Sequence, residues 1–229
     1  MVPHITVRSF TNDQYILDKV FYSNHYKLKG HHGPDGPVVV DLGAHCGYFT
    51  FAAISLGASK VYSFEPFPEN FRILLKNTEH TEVGKVIPYQ VGVYTENTTL
   101  SISYPKIMEE IYYDFANLAI EEEVPPQFKA PCFALDYILN RFISEPVDIL
   151  KLNIGYAELD ILLSSELLPS KVKSIVVETS DPTEKIEGFT EKMKSKGFIE
   201  SALSPVDDEG KVVLILSKDK ISQNFTVEP

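Results

Sequence analysis

Cysteine is scarce in this sequence, which has only Cys46 and Cys132 among its 229 residues. The two are far apart and neither belongs to a Cys-x-x-Cys pair, so the chain has no disulfide framework and no cysteine-based zinc motif. We therefore interpret both as reduced thiols of an intracellular protein.

Long hydrophobic runs are also lacking. No apolar stretch approaches the roughly 18 residues that a membrane-spanning helix needs. The first residues, MVPHITVRSFTND, lack the cationic start and apolar core of a secretory signal. These absences predict a cytoplasmic protein without a membrane partner.

Positive charge is in deficit, because 21 Lys and Arg residues face 32 Asp and Glu residues, for a formal net charge of −11. Nucleic-acid affinity comes largely from the neutralisation of phosphates, so this balance disfavours a nucleic-acid partner. It favours small molecules or peptides as partners.

No repeat of 20 to 50 residues is present, which excludes solenoid architectures. Short β-rich runs alternate instead with amphipathic stretches, as in a parallel sheet flanked by helices. We predict a single α/β domain over residues 1–229 with about seven core strands. Strands are expected at 37–42, 60–64, 85–94, 98–104, 147–154 and 171–180, followed by a closing antiparallel hairpin, and helices at 12–22, 47–58, 68–79, 133–143, 158–168 and 184–196.

Two segments do not fit the alternation. Residues 1–36 read as an N-terminal helical segment followed by a Gly/Pro/His loop. Residues 104–131 are acidic, aromatic and rich in proline at their end. They are either a solvated surface excursion or a flap that supplies aromatic contacts to a substrate.

The stretch VVVDLGAHCGYFTFAA carries the strongest local motif. Asp41 ends a buried strand, Gly43 allows a tight turn, and Gly47 lets the next helix pack closely. The spacing is D-x-G-x-x-x-G rather than G-x-G-x-x-G. An acid before the first glycine suits a ligand with a cationic amine, which favours an amino-acid-bearing cofactor over NAD.

A second motif follows 22 residues after Gly43, where Glu65 ends the strand KVYSF. An acid at the tip of the second strand is suited to accept hydrogen bonds from both ribose hydroxyls of a nucleoside. The two motifs, in this order and spacing, predict a nucleoside cofactor.

Three blocks of the sequence, VVVDLGAHCGYFTFAA, KVYSFEPFPENFRILLKN and LDYILNRFISEPVDILKLNIGYAELDIL, resemble the FkbM-type methyltransferases. These are class I enzymes that depend on S-adenosylmethionine. The resemblance implies a Rossmann-like sheet of seven mostly parallel strands in the order 3-2-1-4-5-7-6, with helices on both faces. It also implies methyl transfer to an oxygen of a small metabolite or glycan.

The resemblance also assigns residues to the cofactor. Glu65 would bind the ribose, and Tyr48 would form part of the wall. His45 would lie beside the cofactor carboxylate. The methionine moiety would be held by Asp41, Gly43, Ala44 and Gly47, and the adenine would lie near Pro66, Phe67 and Gly92.

The fourth strand departs from the family pattern K-[IV]-D-[IV]-E-G-A-E, because this chain has KLNIGYAE. Asn153 and Gly155 replace the two acids, and Tyr156 replaces the glycine. Asn153 cannot act as a base, although its amide can orient an acceptor hydroxyl. Glu158 is either a catalytic acid or a helix N-terminal acid that complements the helix dipole, and we prefer the second interpretation.

Other assignments stay open. One of His25, His31 and His45 is a candidate general base, and no metal-ligand spacing is identifiable, so no metal is expected. Two alternatives compete with the hydroxyl methyltransferase. One is a non-catalytic homologue that only binds the nucleoside cofactor, and the other is a tRNA methyltransferase.

Overall fold

The computed structural model describes residues 5–28, 35–102, 128–155, 157–207 and 210–218, with seven helices and ten strands in them. The helices are α1 (Asp13–Phe21), α2 (Tyr48–Ser55), α3 (Pro68–Thr78), α4 (Leu135–Arg141), α5 (Glu158–Ser164), α6 (Leu168–Lys171) and α7 (Thr183–Ser195). The strands are β1 (Val38–Leu42), β2 (Lys60–Phe64), β3 (Val86–Tyr89), β4 (Gly92–Tyr94), β5 (Thr98–Ile102), β6 (Phe128–Ala134), β7 (Val147–Leu152), β8 (Val172–Thr179), β9 (Ile199–Leu203) and β10 (Val212–Ser217).

Seven of these strands form one sheet in the order β3-β2-β1-β7-β8-β10-β9. All neighbours are parallel except β10, which is antiparallel to both β8 and β9. This is the order 3-2-1-4-5-7-6, so the predicted fold class is confirmed, including the closing antiparallel hairpin.

Hydrophobic side chains cover both faces of the sheet, as expected for central strands that read as continuous apolar runs. On one face α1 and α2 pack on alternate residues such as Val39, Ile149 and Val213. On the other face α4, α5 and α7 contribute to the larger cluster, which includes Val40 and Leu150. Helices on two faces leave the carboxyl ends of the parallel strands as the place for a ligand.

A second sheet of three strands, in the order β4-β6-β5, corrects two sequence-based expectations. The stretch 85–94 is two strands in different sheets rather than one, because β3 pairs with β2 whereas β4 pairs with β6. The end of the predicted excursion 104–131 is the regular strand β6, which is antiparallel to β5. Residues 104–127, the rest of that excursion, lie outside the described residues.

Three helices are shorter than their hydrophobic patterns predicted. The helix expected at 47–58 spans Tyr48–Ser55. The helix expected at 133–143 begins after β6 and spans Leu135–Arg141. The helix expected at 158–168 ends at Ser164, because Ser165 is extended, and α6 follows as a separate turn. In the part of the chain that the structure covers, no helix is both long and apolar enough to cross a membrane.

Candidate functional site

Four residues form a row at the carboxyl end of the central strands. Leu42 of β1 pairs with Phe64 of β2 and with Leu152 of β7, and Leu152 pairs with Val177 of β8. The residues one step further along each strand therefore lie at the same level. We call this set the strand-end row, and it consists of Glu65, Gly43, Asn153 and Glu178.

Gly43 is the central turn of the row, and its backbone has φ of +77°. The amides of Gly43 and Ala44 both donate to the carbonyl of Phe64 at 3.0 Å. A Cβ at Gly43 would lie 2.9 Å from the carbonyl carbon of Asn153 and closer still to its oxygen. Only glycine meets both requirements, as the sequence motif predicted.

Asp41 lies one level below the row and is completely buried. Its Oδ2 accepts a hydrogen bond from Thr50 at 2.7 Å, and its Oδ1 forms an ion pair with Lys151 Nζ at 3.0 Å. Lys151 also donates to the carbonyl of Gly43 at 2.7 Å. The cation expected beside Asp41 is therefore Lys151 of the same protein, and Asp41 acts on the glycine turn through that lysine.

Glu65 is 6% exposed, and its carboxylate holds two backbone amides. Oε2 accepts from His45 at 2.8 Å and Oε1 accepts from Phe67 at 2.9 Å. Burial raises the pKa of Glu65 to about 7, against the opposing effect of these two hydrogen bonds. The charge of this carboxylate therefore changes near neutral pH.

His45 and Gly47 continue the turn with φ of +52° and +81°, and Gly47 precedes the first residue of α2. The His45 ring lies 3.3 Å from Arg8 Nη2, and Arg8 forms an ion pair with the buried Asp13 at 2.8 Å. The N-terminal segment is thereby fixed to the glycine turn. Cys46 beside it is fully buried and burial raises the pKa of its thiol, so a packing role fits better than a nucleophilic one.

The remaining residues assigned to the cofactor have different surroundings. Tyr48 is buried and its hydroxyl donates to the carbonyl of Thr6 at 3.2 Å, so it supports the N-terminal segment. Phe67 is buried against the ring of Phe128. Gly92 opens β4, and a Cβ there would be 3.5 Å from Pro66 and 2.6 Å from the sulfur of Cys132.

Asn153 takes part in a hydrogen-bond chain that its position in the sequence does not suggest. Its Nδ2 donates to the hydroxyl of Tyr26 at 3.2 Å, and that hydroxyl donates to Glu178 Oε2 at 2.8 Å. Tyr26 is buried, and its burial, followed by the charge of Glu178, raises its pKa well above the usual value of 10. The phenol thus stays protonated and links the two members of the strand-end row.

Glu158 is 2% exposed, and its Oε1 accepts the backbone amides of Ile154 at 3.0 Å and Gly155 at 2.6 Å. Gly155 has φ of +90°, which explains a glycine where the family pattern has an acid. Glu158, the first residue of α5, thus holds the turn that precedes the helix. Tyr156 lies outside the described residues.

The sequence patterns did not identify Tyr26, Glu178 and Lys19 as members of the site, and identified His25 only as one of several histidines. His25 Nε2 lies 3.1 Å from Glu178 Oε2, and Lys19 Nζ lies 3.4 Å from Glu178 Oε1. No local motif marks these pairs, since more than 150 residues separate Glu178 from each partner. The local sequence feature that could have pointed to this group is the acid Glu178, near the end of β8. His31 lies outside the described residues.

Two groups of side chains have the composition of a metal site among the described residues, but each already contains a cation of the chain. Arg8 is bonded to Asp13 in the group Asp13, His45 and Cys46. Lys19 lies 2.9 Å from Asp207 and pairs with Glu178 in the group His25, Glu178 and Asp207. The absence of a metal stays a prediction.

Comparison with solved structures relates this fold to methyltransferases. TrmK from M. capricolum, in complex with S-adenosyl-homocysteine, matches 95% of this chain and 70% of its own with 13% identity and a TM-score of 0.53. Sp1610 from Streptococcus pneumoniae, described as a candidate tRNA (m1A22) methyltransferase, matches 86% of this chain and 68% of its own with 12% identity and a TM-score of 0.51. At this identity the likeness shows the fold alone.

No curated protein sequence matches the chain. The model of the methyltransferase FkbM domain, in contrast, matches residues 41–201, a range that includes the whole strand-end row. The match spans well over half of the chain and agrees with the blocks on which the sequence resemblance rests. The chain therefore belongs to the FkbM family of S-adenosylmethionine-dependent methyltransferases.

Proposed function

We propose that this protein transfers a methyl group from S-adenosylmethionine to a hydroxyl oxygen of a small metabolite or glycan. The observation that carries the proposal is the strand-end row, which places an acid, a glycine turn and two polar side chains at one edge of the sheet. In open α/β sheets ligands bind at that edge. Membership of the FkbM family supports S-adenosylmethionine as the cofactor. The polar side chains of the strand-end row support a hydroxyl group as the methyl acceptor.

The residues of the first two strand ends fit the cofactor. A carboxylate offers about four lone-pair positions, more than Glu65 uses for its two backbone donors and its hydrogen bond with Asn70, so this side chain can still accept from a ribose hydroxyl. The backbone of Gly43, Ala44 and Gly47 would hold the methionine moiety. Pro66, Phe67 and Gly92 would lie beside the adenine.

Asp41 supports this arrangement indirectly in our proposal. Its buried pair with Lys151 fixes the carbonyl of Gly43, and thereby the turn that the methionine moiety would contact. His45 contributes its backbone amide to Glu65 and its ring to Arg8. Tyr48 acts through its bond to Thr6.

The residues of the other two strand ends fit an acceptor. When bound, the sulfonium of S-adenosylmethionine supplies an activated methyl group, so alignment of the nucleophile can provide much of the rate enhancement. Asn153 would provide that alignment. Its Nδ2 is engaged by Tyr26, which leaves Oδ1 to accept a hydrogen bond from the acceptor hydroxyl.

The acidic balance of the chain supports a small acceptor rather than RNA. A tRNA methyltransferase would have to bind a polyanion with 32 acidic against 21 basic residues. A steep salt dependence of RNA binding would revive that alternative.

The alternative of a non-catalytic homologue is motivated by Asn153 and Gly155, which replace the two acids of the family pattern. Turnover of labelled cofactor with any acceptor rules it out.

The cofactor assignment predicts that Glu65→Ala weakens binding of S-adenosyl-homocysteine by on the order of 2 kcal/mol, through loss of the charged hydrogen bonds to the ribose. Calorimetric titration at pH 8, above the Glu65 pKa of about 7, measures this loss. Glu69→Ala on α3, whose side chain is 53% exposed, is the matched control and should bind like the wild type. A folded Glu65→Ala variant with unchanged affinity would remove the assignment.

A further inference from the structure

The acceptor half of the site lacks a base on the fourth strand, because Asn153 stands where the family pattern has an acid. Proton removal from a hydroxyl by a positioned side chain typically contributes about 10²–10⁴-fold to a rate. A replacement base would have to reach the same strand ends from another part of the chain. The N-terminal segment supplies the side chains that do so.

His25 lies beside the strand-end row in a well-defined turn. Its backbone amide donates to the carbonyl of Lys19 at 3.0 Å, and the amide of Lys27 donates to Asn24 at 2.8 Å. Asn24 and Lys27 both have positive φ, of 42° and 54°. Non-glycine residues in this conformation cost energy and cluster at functional sites. The turn presents His25 and Tyr26 to the ends of β7 and β8.

Glu178 determines which nitrogen of His25 carries the proton. Burial would raise the pKa of Glu178, but hydrogen bonds from His25 and Tyr26 and the charge of Lys19 lower it to about 2. The carboxylate is therefore ionised and accepts only. Since Nε2 is the ring atom 3.1 Å from it, Nε2 must be the donor, and whenever the ring is neutral Nδ1 is the unprotonated nitrogen.

The surroundings of His25 leave Nδ1 available for a ligand. The ring packs edge-on against Tyr26 and its side chain is 14% exposed. Among the described residues Nδ1 has no hydrogen-bond partner. The charged groups around the ring are Glu178 on β8, Lys19 on α1 and Asp207 after β9, and Lys19 lies between the two acids.

Tyr26 connects this histidine to Asn153. One carboxylate oxygen, Glu178 Oε2, accepts from both Tyr26 and His25, and the Tyr26 oxygen accepts from Asn153. The single phenolic proton is used by Glu178. An acid at position 153 would face the phenolic oxygen without a proton between them, so an amide at 153 fits this chain and a carboxylate does not.

We propose that His25, held by Glu178, is the general base of the methyl transfer, with Nδ1 taking the proton of the acceptor hydroxyl. The inference rests on the proposed function. As the acceptor oxygen forms its bond to the methyl carbon, the electron pair of the carbon–sulfur bond goes to sulfur and the hydroxyl proton goes to Nδ1. The products are the methyl ether, S-adenosyl-homocysteine and an imidazolium that returns its proton to water.

The tautomer is testable without any acceptor. Long-range ¹H–¹⁵N NMR of histidine-labelled protein at pH 7.5, assigned with His25→Gln, should show Nδ1 of His25 unprotonated. Glu178→Gln should lose this single tautomer. A proton on Nδ1, or a doubly protonated ring, overturns the assignment of His25 as the base. This holds even if calorimetry shows normal binding of S-adenosyl-homocysteine. If the wild-type protein does not bind S-adenosyl-homocysteine, the proposed function is contradicted instead.

Turnover tests the base directly, with catechol and methyl glucoside as hydroxyl probes at saturating cofactor. His25→Gln should lower turnover by about 10²–10⁴-fold, while binding S-adenosyl-homocysteine within twofold of the wild type. His80→Gln, in an exposed His–Glu pair, should change neither. Unchanged turnover in His25→Gln overturns the proposal. If the wild type methylates neither probe, the NMR measurement of the His25 tautomer decides whether the proposal stands.

Discussion

Gly43→Ala is expected to destabilise the protein by about 2–5 kcal/mol, from a left-handed backbone that costs alanine about 1–2 kcal/mol and from an overlap that costs about 1–3 kcal/mol. The new Cβ would collide with the carbonyl of Asn153, which is backbone and cannot rotate away. Relief would require β1 and β7 to separate at the strand-end row. Urea denaturation measures the free energy of unfolding. Calorimetry should show that the molecules of the variant that are folded bind S-adenosyl-homocysteine more weakly than the wild type does.

Gly84→Ala separates the two causes. Gly84 has φ of +86°, close to the +77° of Gly43, yet a Cβ there would meet nothing within 4 Å. Its variant should lose only the backbone contribution, about 1–2 kcal/mol, and bind cofactor normally. Equal losses in the two variants would mean that the close approach of Gly43 to Asn153 contributes nothing.

Lys151→Met is expected to destabilise the protein by about 3–5 kcal/mol, because it leaves the charge of Asp41 buried without a partner. Lys151 is 4% exposed and Asp41 is completely buried. The carbonyl of Gly43 loses its donor as well, so cofactor binding should weaken together with stability. Urea denaturation and the same calorimetric titration measure both effects.

A double-mutant cycle isolates the ion pair. Asp41→Asn combined with Lys151→Met should recover part of the loss, since no uncompensated charge remains. Lys173→Met, which removes an exposed pair between Lys173 and Asp148 on neighbouring strands, should cost at most about 1 kcal/mol. A Lys151→Met variant as stable as Lys173→Met would contradict the role given to the buried pair.

The glycine turn and the acid at the ends of the first two strands were predictable because their signals are local. Gly43 and Glu65 follow the first two strands directly, and the register of β1 and β2 then brings them to one level. The requirement for glycine at position 43 has a conformational cause that a sequence motif encodes. The strand order came from the family resemblance rather than from the periodicity of the chain.

Other features depend on contacts that no local pattern records. The expected free carboxylate of Asp41 is paired with Lys151, which is 110 residues away and has its own place in the family motif. The stretch 85–94 divides between two sheets because β4 finds its partner in β6, beyond the acidic segment. Both outcomes were decided by tertiary pairing.

For the strand ends that we propose bind the acceptor, the sequence predicted only that the acids of the family pattern are missing. The sequence shows that Asn153 replaces an acid, but the partner that makes an amide suitable there, Tyr26, lies 127 residues away in a turn. Glu178 and His25 are likewise joined only by folding. The loss of the acids motivates the alternative of a non-catalytic homologue. The hydrogen-bond chain around Asn153 supports our proposal of turnover, which rests on the strand-end row.

A crystal structure of the protein soaked with S-adenosyl-homocysteine tests the central claim most directly. The account predicts that the ligand lies along the strand-end row, with its ribose hydroxyls bonded to Glu65 and with Asn153 and His25 on the side of the sulfur. A ligand bound elsewhere, or one whose ribose makes no contact with Glu65, would contradict it.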